Sequence, residues 1–178
     1  MDQIAEFLEE FQRETDRAAA VLAAAYLDSR LEALVREKCV GVPKFVEELL
    51  SGQGGLSSFS ARISVAYAVG LISLKAAEDL HLVRRIRNDF AHQVHGLSFA
   101  TPTIADRVNA FRILEALRDE KGQTIPLPDD PRKRFNLAVA LLLWNAIEPR
   151  IREMPRFVEP TSLAVITAYR DPDNPGKA

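Results

Sequence analysis

The sequence predicts an all-α protein, a single-domain helical bundle of about six or seven helices. Three observations carry that prediction. Apolar residues recur at three- and four-residue spacing along most of the chain, which is the period of an amphipathic helix. No segment competes as a strand except a short one from Ala164 to Tyr169. The 178 residues, 47% of them apolar, suffice to bury a core without disulfides or a metal. Residues 1–150 are expected to form the bundle and 151–178 a C-terminal tail.

Each element has its own signal. Ile4, Phe7, Leu8 and Phe11 put one apolar stripe on a first helix over 2–13. Thr15 or Asp16 can cap a second helix running to about Lys38. Alanine and leucine cover most of its circumference, so it should be central and heavily buried. Gly41 and Pro43 end it and open a short helix, Lys44 to Leu50. The run Ser51 to Ser60 is a glycine-serine connector without the glycine and lysine spacing of a phosphate-binding loop. Ala61 to Val69 is a fourth helix, stopped at Gly70, and Ser73 caps a fifth that carries Asp79 to His92. Thr103 can cap a helix over about Ile104 to Arg118, with Val108, Phe111, Leu114 and Leu117 on one face. Phe135 to Ile147 is an apolar final helix, and the chain from Pro149 onward reads as mostly irregular.

Composition excludes several functions. A net charge of −2 gives no global attraction to nucleic acid, so any such binding would be local and weak. Cys39 is alone, which rules out an internal disulfide and a cysteine-based zinc site. With His81, His92 and His95 the only histidines, no metal site is assigned, and no cofactor is expected. The N-terminal residues are acidic, without an apolar signal core, and no run approaches the length of a membrane span. The cytoplasm is the expected location.

The stretch Asp79 to His92 is the one around which the other elements look arranged. On a helical projection Arg87 falls inside an apolar arc made by Val83, Ile86, Phe90 and Leu80. Asp28 interrupts the apolar side of the second helix in the same way. A buried guanidinium needs a partner or a purpose. An Asp28–Arg87 ion pair fixing the register of two helices is the expected arrangement. The other reading has Arg87 lining a pocket and holding an anion such as phosphate. The opposite arc collects Arg84, Arg85, His81, Asn88 and His92, a basic face. Arg132, Lys133 and Arg134 read as a solvated helix start, given Asp129 and Asp130 just before them. Ala66, Gly70, Ser73 and Leu80 imitate a helix-turn-helix, but the turn is one residue too long and the second helix is too apolar to enter a groove.

Two resemblances go beyond these patterns. Arg87-Asn88-Asp89-Phe90-Ala91-His92 resembles the arginine-polar-x-x-x-histidine motif of HEPN-type domains. That likeness implies a metal-independent endoribonuclease, or a toxin-like RNA-binding domain. Arg87 and His92 would be catalytic with Asn88 in support, the histidine moving a 2′-hydroxyl proton and the guanidinium holding phosphorane charge. The two side chains lie about 140° apart on an unbroken helix, so the chemistry needs a dimer or a helix that ends before His92. The words Leu22–Asp28, Ser58–Ser73 and Leu82–Phe99 together resemble the mannitol operon repressor family, over about residues 15–105. This second likeness implies an all-helical transcriptional regulator, with Asp28, Arg62, Arg87, Asn88 and His92 as matched polar positions. No DNA-reading element accompanies them, so repression would act through a protein partner. A homodimer is expected separately, because helical domains of this size often pair and a HEPN-type cleft needs two copies. Asp28, Arg62, Arg84 and Arg87 form the candidate binding set.

Overall fold

The computed structural model describes residues 2–39, 43–93, 96–153 and 155. His95, the expected strand at Ala164–Tyr169 and most of the expected tail lie outside these residues. Among those described, the architecture is all-α, and the one β-type contact is an isolated bridge between Arg118 and Thr124. The elements are α1 (Asp2–Arg13), α2 (Asp16–Lys38), α3 (Pro43–Leu50), α4 (Phe59–Ala68), α5 (Leu74–His92) and α6 (Pro102–Asn109). A 3-10 turn (Arg112–Ala116) follows, then α7 (Pro131–Leu141), a π-helical turn (Leu142–Ile147) and α8 (Glu148–Glu153).

The hub is α2 rather than α5. Thr15 caps its start by accepting from the Ala18 amide at 3.3 Å. Ala19, Ala20, Ala23 and Ala24 are buried along its first half and Leu27, Leu31 and Leu34 along its second. Small side chains let neighbouring backbones approach closely, and α2 packs against α1, α3, α4, α5, α7, the π turn and α8. α5 lies along it in the opposite direction, since Arg17 at the start of α2 donates to the Phe90 carbonyl near the end of α5, at 2.5 Å. Phe135 of α7 gathers the aromatic part of the core, with ring centroids 4.7 Å from Phe99 and 6.1 Å from Phe11 and from Phe111.

Local chemistry sets the boundaries. Ser58 caps α4 through the Ala61 amide at 3.2 Å. Gly70, at φ +75°, takes the left-handed conformation that ends it, while the Leu71 amide returns to the Ala66 carbonyl at 2.8 Å. Asp130 accepts from the Arg132 and Lys133 amides, and Pro131 occupies the first turn, so α7 begins four residues before Phe135. Proline cannot return an amide bond to the preceding turn and crowds the carbonyl there. The wider π turn ahead of Pro149 accommodates that loss, and the helix continues to Glu153 instead of stopping at Ile147.

The expected single helix over 104–118 is a correction. α6 starts at Pro102 and ends at Asn109, and the 3-10 turn opens at Arg112. The cause is Asp79, fully buried on α5. Its two carboxylate oxygens take the Arg112 amide at 2.9 Å and the Ile113 amide at 2.7 Å. Amides aimed at α5 cannot continue α6, so the chain turns while Val108, Phe111 and Leu114 remain in the core.

Candidate functional site

Asp28 on α2 and Arg62 on α4 face each other where these helices meet. Arg62 Nη1 donates to Asp28 Oδ1 at 2.7 Å, Nη2 lies 2.7 Å from Glu32 Oε2, and Nη2 also donates to the Leu50 carbonyl at 3.2 Å. The Arg62 side chain is 8% exposed, whereas Asp28 and Glu32 keep about a third of their surface at 29% and 31%. Arg36 extends the network with bonds to Glu32 at 3.0 Å and to Glu47 of α3 at 2.7 Å. Asp28, Ser29, Glu32, Arg36, Ser57 and Arg62 line a polar groove of about 550 Å³. Burial raises the Asp28 carboxyl above its ordinary range. The hydrogen bond and charge of Arg62 oppose that shift, Glu32 adds to it, and Arg87 lowers it weakly.

The expected Asp28–Arg87 ion pair is therefore replaced by Asp28–Arg62. Arg87 is near enough for Asp28 to feel its charge, but its guanidinium donates to the neighbouring Asn88 Oδ1 at 3.0 Å. The reason is reach and direction. Arg62 projects from a third helix straight between α2 and the end of α3, a placement that no projection of α2 or α5 contains.

α5 runs unbroken through His92, with Gln93 as its cap. Arg87 and Asn88 are half-buried and His92 is exposed at the helix end, so a single chain does not bring Arg87 and His92 together. The carbonyls at the end of α5 are closed by Arg17, which donates to Phe90 and Gln93. On the outer arc, Arg84 Nε and His81 Nδ1 are buried without a hydrogen-bond partner. Burial first, then the charges of Arg84 and Arg85, depress the His81 imidazole below its ordinary value.

Other charged side chains tie helix ends. Arg132 donates to the Phe11 carbonyl at 2.8 Å and to Asp16 Oδ1 at 3.2 Å, and it sits 5.3 Å from the ring centres of Phe11 and Phe99. The expectation of a solvated helix start is wrong for this residue; α7 begins inside the junction of α1, α2 and the loop before α6. Lys38, buried, donates to the Ile151 carbonyl at 3.0 Å, and Arg30 pairs with Glu148 at 2.5 Å. Among the described residues no cluster of three His, Cys, Asp or Glu is placed to hold a metal ion. None of their helices is long and apolar enough to cross a membrane.

The helix-turn-helix imitation at α4–α5 also fails in three dimensions. Ala76, Ala77, Asp79, Leu80 and Val83 of α5 are buried, so the first half of the would-be reading helix is core. Buried helices joined by charged clamps make this an all-helical bundle in which α5 belongs to the core. The mannitol repressor family model matches residues 2–137, and the chain belongs to that family. The match extends past both ends of the 15–105 stretch recognisable from the sequence words. A chain of the X-ray structure of the MtlR–HPr complex from Escherichia coli shares the fold. Its TM-score is 0.63 at 21% identity, covering 78% of this chain and 94% of that one. No curated protein sequence matches.

Proposed function

We propose that this chain regulates transcription in the manner of a mannitol repressor, through an HPr-like protein partner rather than by reading DNA itself. The observation that carries the reading is the burial of α5. The helix that follows the helix-turn-helix-like turn packs against α2, α4 and α6, so it is not free to enter a major groove. The Escherichia coli structure, in which a protein of the same fold is held with HPr, supplies the class of partner. Asp28, Arg62, Arg84 and Arg87 belong to the reading as candidate binding residues. Asp28 and Arg62 act within the ion network, Arg87 acts near enough for Asp28 to feel its charge, and Arg84 acts on the outer arc of α5 beside His81.

Calorimetric titration with the HPr of the same genome tests it. A saturable one-to-one complex is expected, alongside only weak, salt-sensitive retardation of promoter DNA. Tight, sequence-specific DNA binding by the pure protein, or no heat with HPr, would refute the reading. A twofold dimer is part of the same proposal, supported by the exposed apolar group Tyr67, Val69 and Leu74 around the α4–α5 turn. Light scattering that returns a monomer would remove it.

A further inference from the structure

A second concavity, of about 570 Å³, runs between α1 and α7 and has the size of a small-molecule site. Leu8, Phe11, Leu137, Ala140 and Trp144 form its apolar wall. Trp144, the chain's single tryptophan, stands 45% exposed on the π turn. The polar lining is Gln12, Asp130, Arg132, Lys133 and Asn136, and these groups are not equally free. Asp130 closes the start of α7, where its Oδ1 accepts from the Arg132 and Lys133 amides at 2.7 and 3.3 Å. Arg132 is occupied by the Phe11 carbonyl, Asp16 and Asn136. Its Nε can only donate, so the 3.0 Å bond to Asn136 Oδ1 turns the Asn136 NH2 away from Arg132. Among the described residues nothing holds that NH2, and the exposed Lys133 ammonium has neither a hydrogen bond nor an ion pair. Glu14, a further acid whose charge Arg132 feels, does not line the groove. Asp130 is thus met by helix amides and Asp16 by Arg132, which leaves Lys133 as the charge without a counterpart.

We propose that this groove binds a small amphipathic anion, a medium-chain carboxylate, with its charged end on Lys133 and Asn136 and its alkyl chain along α7 to Trp144. The donor set selects the charge. Two donors without acceptors, one of them an ammonium, favour an anion, and an ion-assisted bond is the stronger kind. A neutral or cationic amphiphile would leave Lys133 uncompensated, and a cation would also find the lining carboxylate already bonded at Oδ1. The spacing selects the length. Lys133, Asn136, Leu137, Ala140 and Trp144 succeed one another at three- and four-residue steps, so they form one line along α7 and the π turn. About 12 Å of helical rise separates Asn136 from Trp144. An extended chain of about eight to ten carbons covers that distance, given bonds of about 1.5 Å in a zigzag. Its methylenes would lie against Leu137, Ala140 and the half-exposed indole, which is apolar surface that gains by being covered. Burial of the chain supplies most of the affinity, and Lys133 decides which end lies where. The inference stands apart from the partner reading and does not depend on it.

Trp144 fluorescence in the full chain is the test, because no other indole contributes. The protein is titrated with sodium octanoate, octan-1-ol and octylammonium chloride at one pH and ionic strength, each well below the concentration at which it self-associates. Octanoate is expected to move the emission to shorter wavelength with saturation, at about one-tenth the concentration that octanol needs. Octylammonium should bind more weakly than either. In Lys133→Gln, an exposed position with no side-chain bond to lose, octanoate should weaken about tenfold while octanol is unchanged. Far-UV circular dichroism of the variant controls for folding. Equal binding of octanoate and octanol by the wild type overturns the proposal, since it reports an apolar surface without a charged end. The absence of any saturable change overturns it, and so does a preference for octanoate that survives in Lys133→Gln. Emission that shifts with protein concentration before any amphiphile is added overturns it too, because that behaviour belongs to a second copy in the groove.

Discussion

Removing Arg62 should destabilise the fold far more than removing Arg87. The Arg62 guanidinium is 8% exposed and satisfies Asp28, Glu32 and the Leu50 carbonyl together. In Arg62→Ala, two carboxylates are left facing each other across emptied space, and a helix-terminal carbonyl loses its donor. Breaking a buried pair by deleting one partner costs about 3–5 kcal/mol, and the lower end applies here because both acids retain solvent. About 3 kcal/mol corresponds to a fall of about 6–12 °C in Tm for a domain of this size. Arg87, half-buried and bonded among the described residues to Asn88, should cost about 0.5 kcal/mol on truncation to alanine. Urea unfolding followed by far-UV circular dichroism gives both values. Asp28→Ala on each background completes a double-mutant cycle, in which coupling with Arg62 should exceed coupling with Arg87. Arg87→Ala costing as much as Arg62→Ala would refute the assignment of Asp28's partner.

Asp79→Ala should cost about 2–4 kcal/mol, since two backbone amides lose their acceptor in the core. Hydrogen exchange should accelerate first at Arg112–Ala116, and unchanged protection there would count against the turn's dependence on Asp79. His81 is depressed in the native state, so below its ordinary value of 6.5 the unfolded chain binds more protons and stability falls on acidification. The wild-type Tm should therefore drop as pH is lowered from about 7 to about 5, more steeply than that of His81→Gln, by a small margin because the ring is partly solvated; parallel profiles would exclude the effect. Arg132→Lys should lose about 1–2 kcal/mol although the charge is kept, because an ammonium cannot reach Phe11, Asp16 and Asn136 together or lie flat near two rings. Chemical denaturation measures that loss, and full stability in the lysine variant would show the planar fork to be dispensable.

Elements whose cause is local were legible in the sequence. The apolar period of α1, the alanine-rich circumference of α2, the Ser73 cap and the glycine stop after α4 each act within a few residues of the position they govern, and each is where the pattern places it. The three words that resemble the mannitol repressor family are also stretches of chain, readable in order, and the family match contains all of them. Asp28 and Arg87 were identifiable as charges on apolar arcs because burial of an arc is a property of one helix.

Which charge meets which is decided between helices, and there the tertiary structure ruled. Two odd charges of opposite sign invite pairing, yet a third helix delivers Arg62 to Asp28 and leaves Arg87 to Asn88. Asp79 looks like a blemish on α5 until Arg112 and Ile113 arrive from another part of the chain; then it explains why one expected helix is two. The end of α5 is held from far away in sequence as well, by Arg17, 73 residues from Phe90, whose carbonyl it takes. Periodicity reports which face of a helix is buried. It carries no information on what is buried against that face, because the partners are set by the packing of long side chains across interfaces that do not exist until the chain has folded.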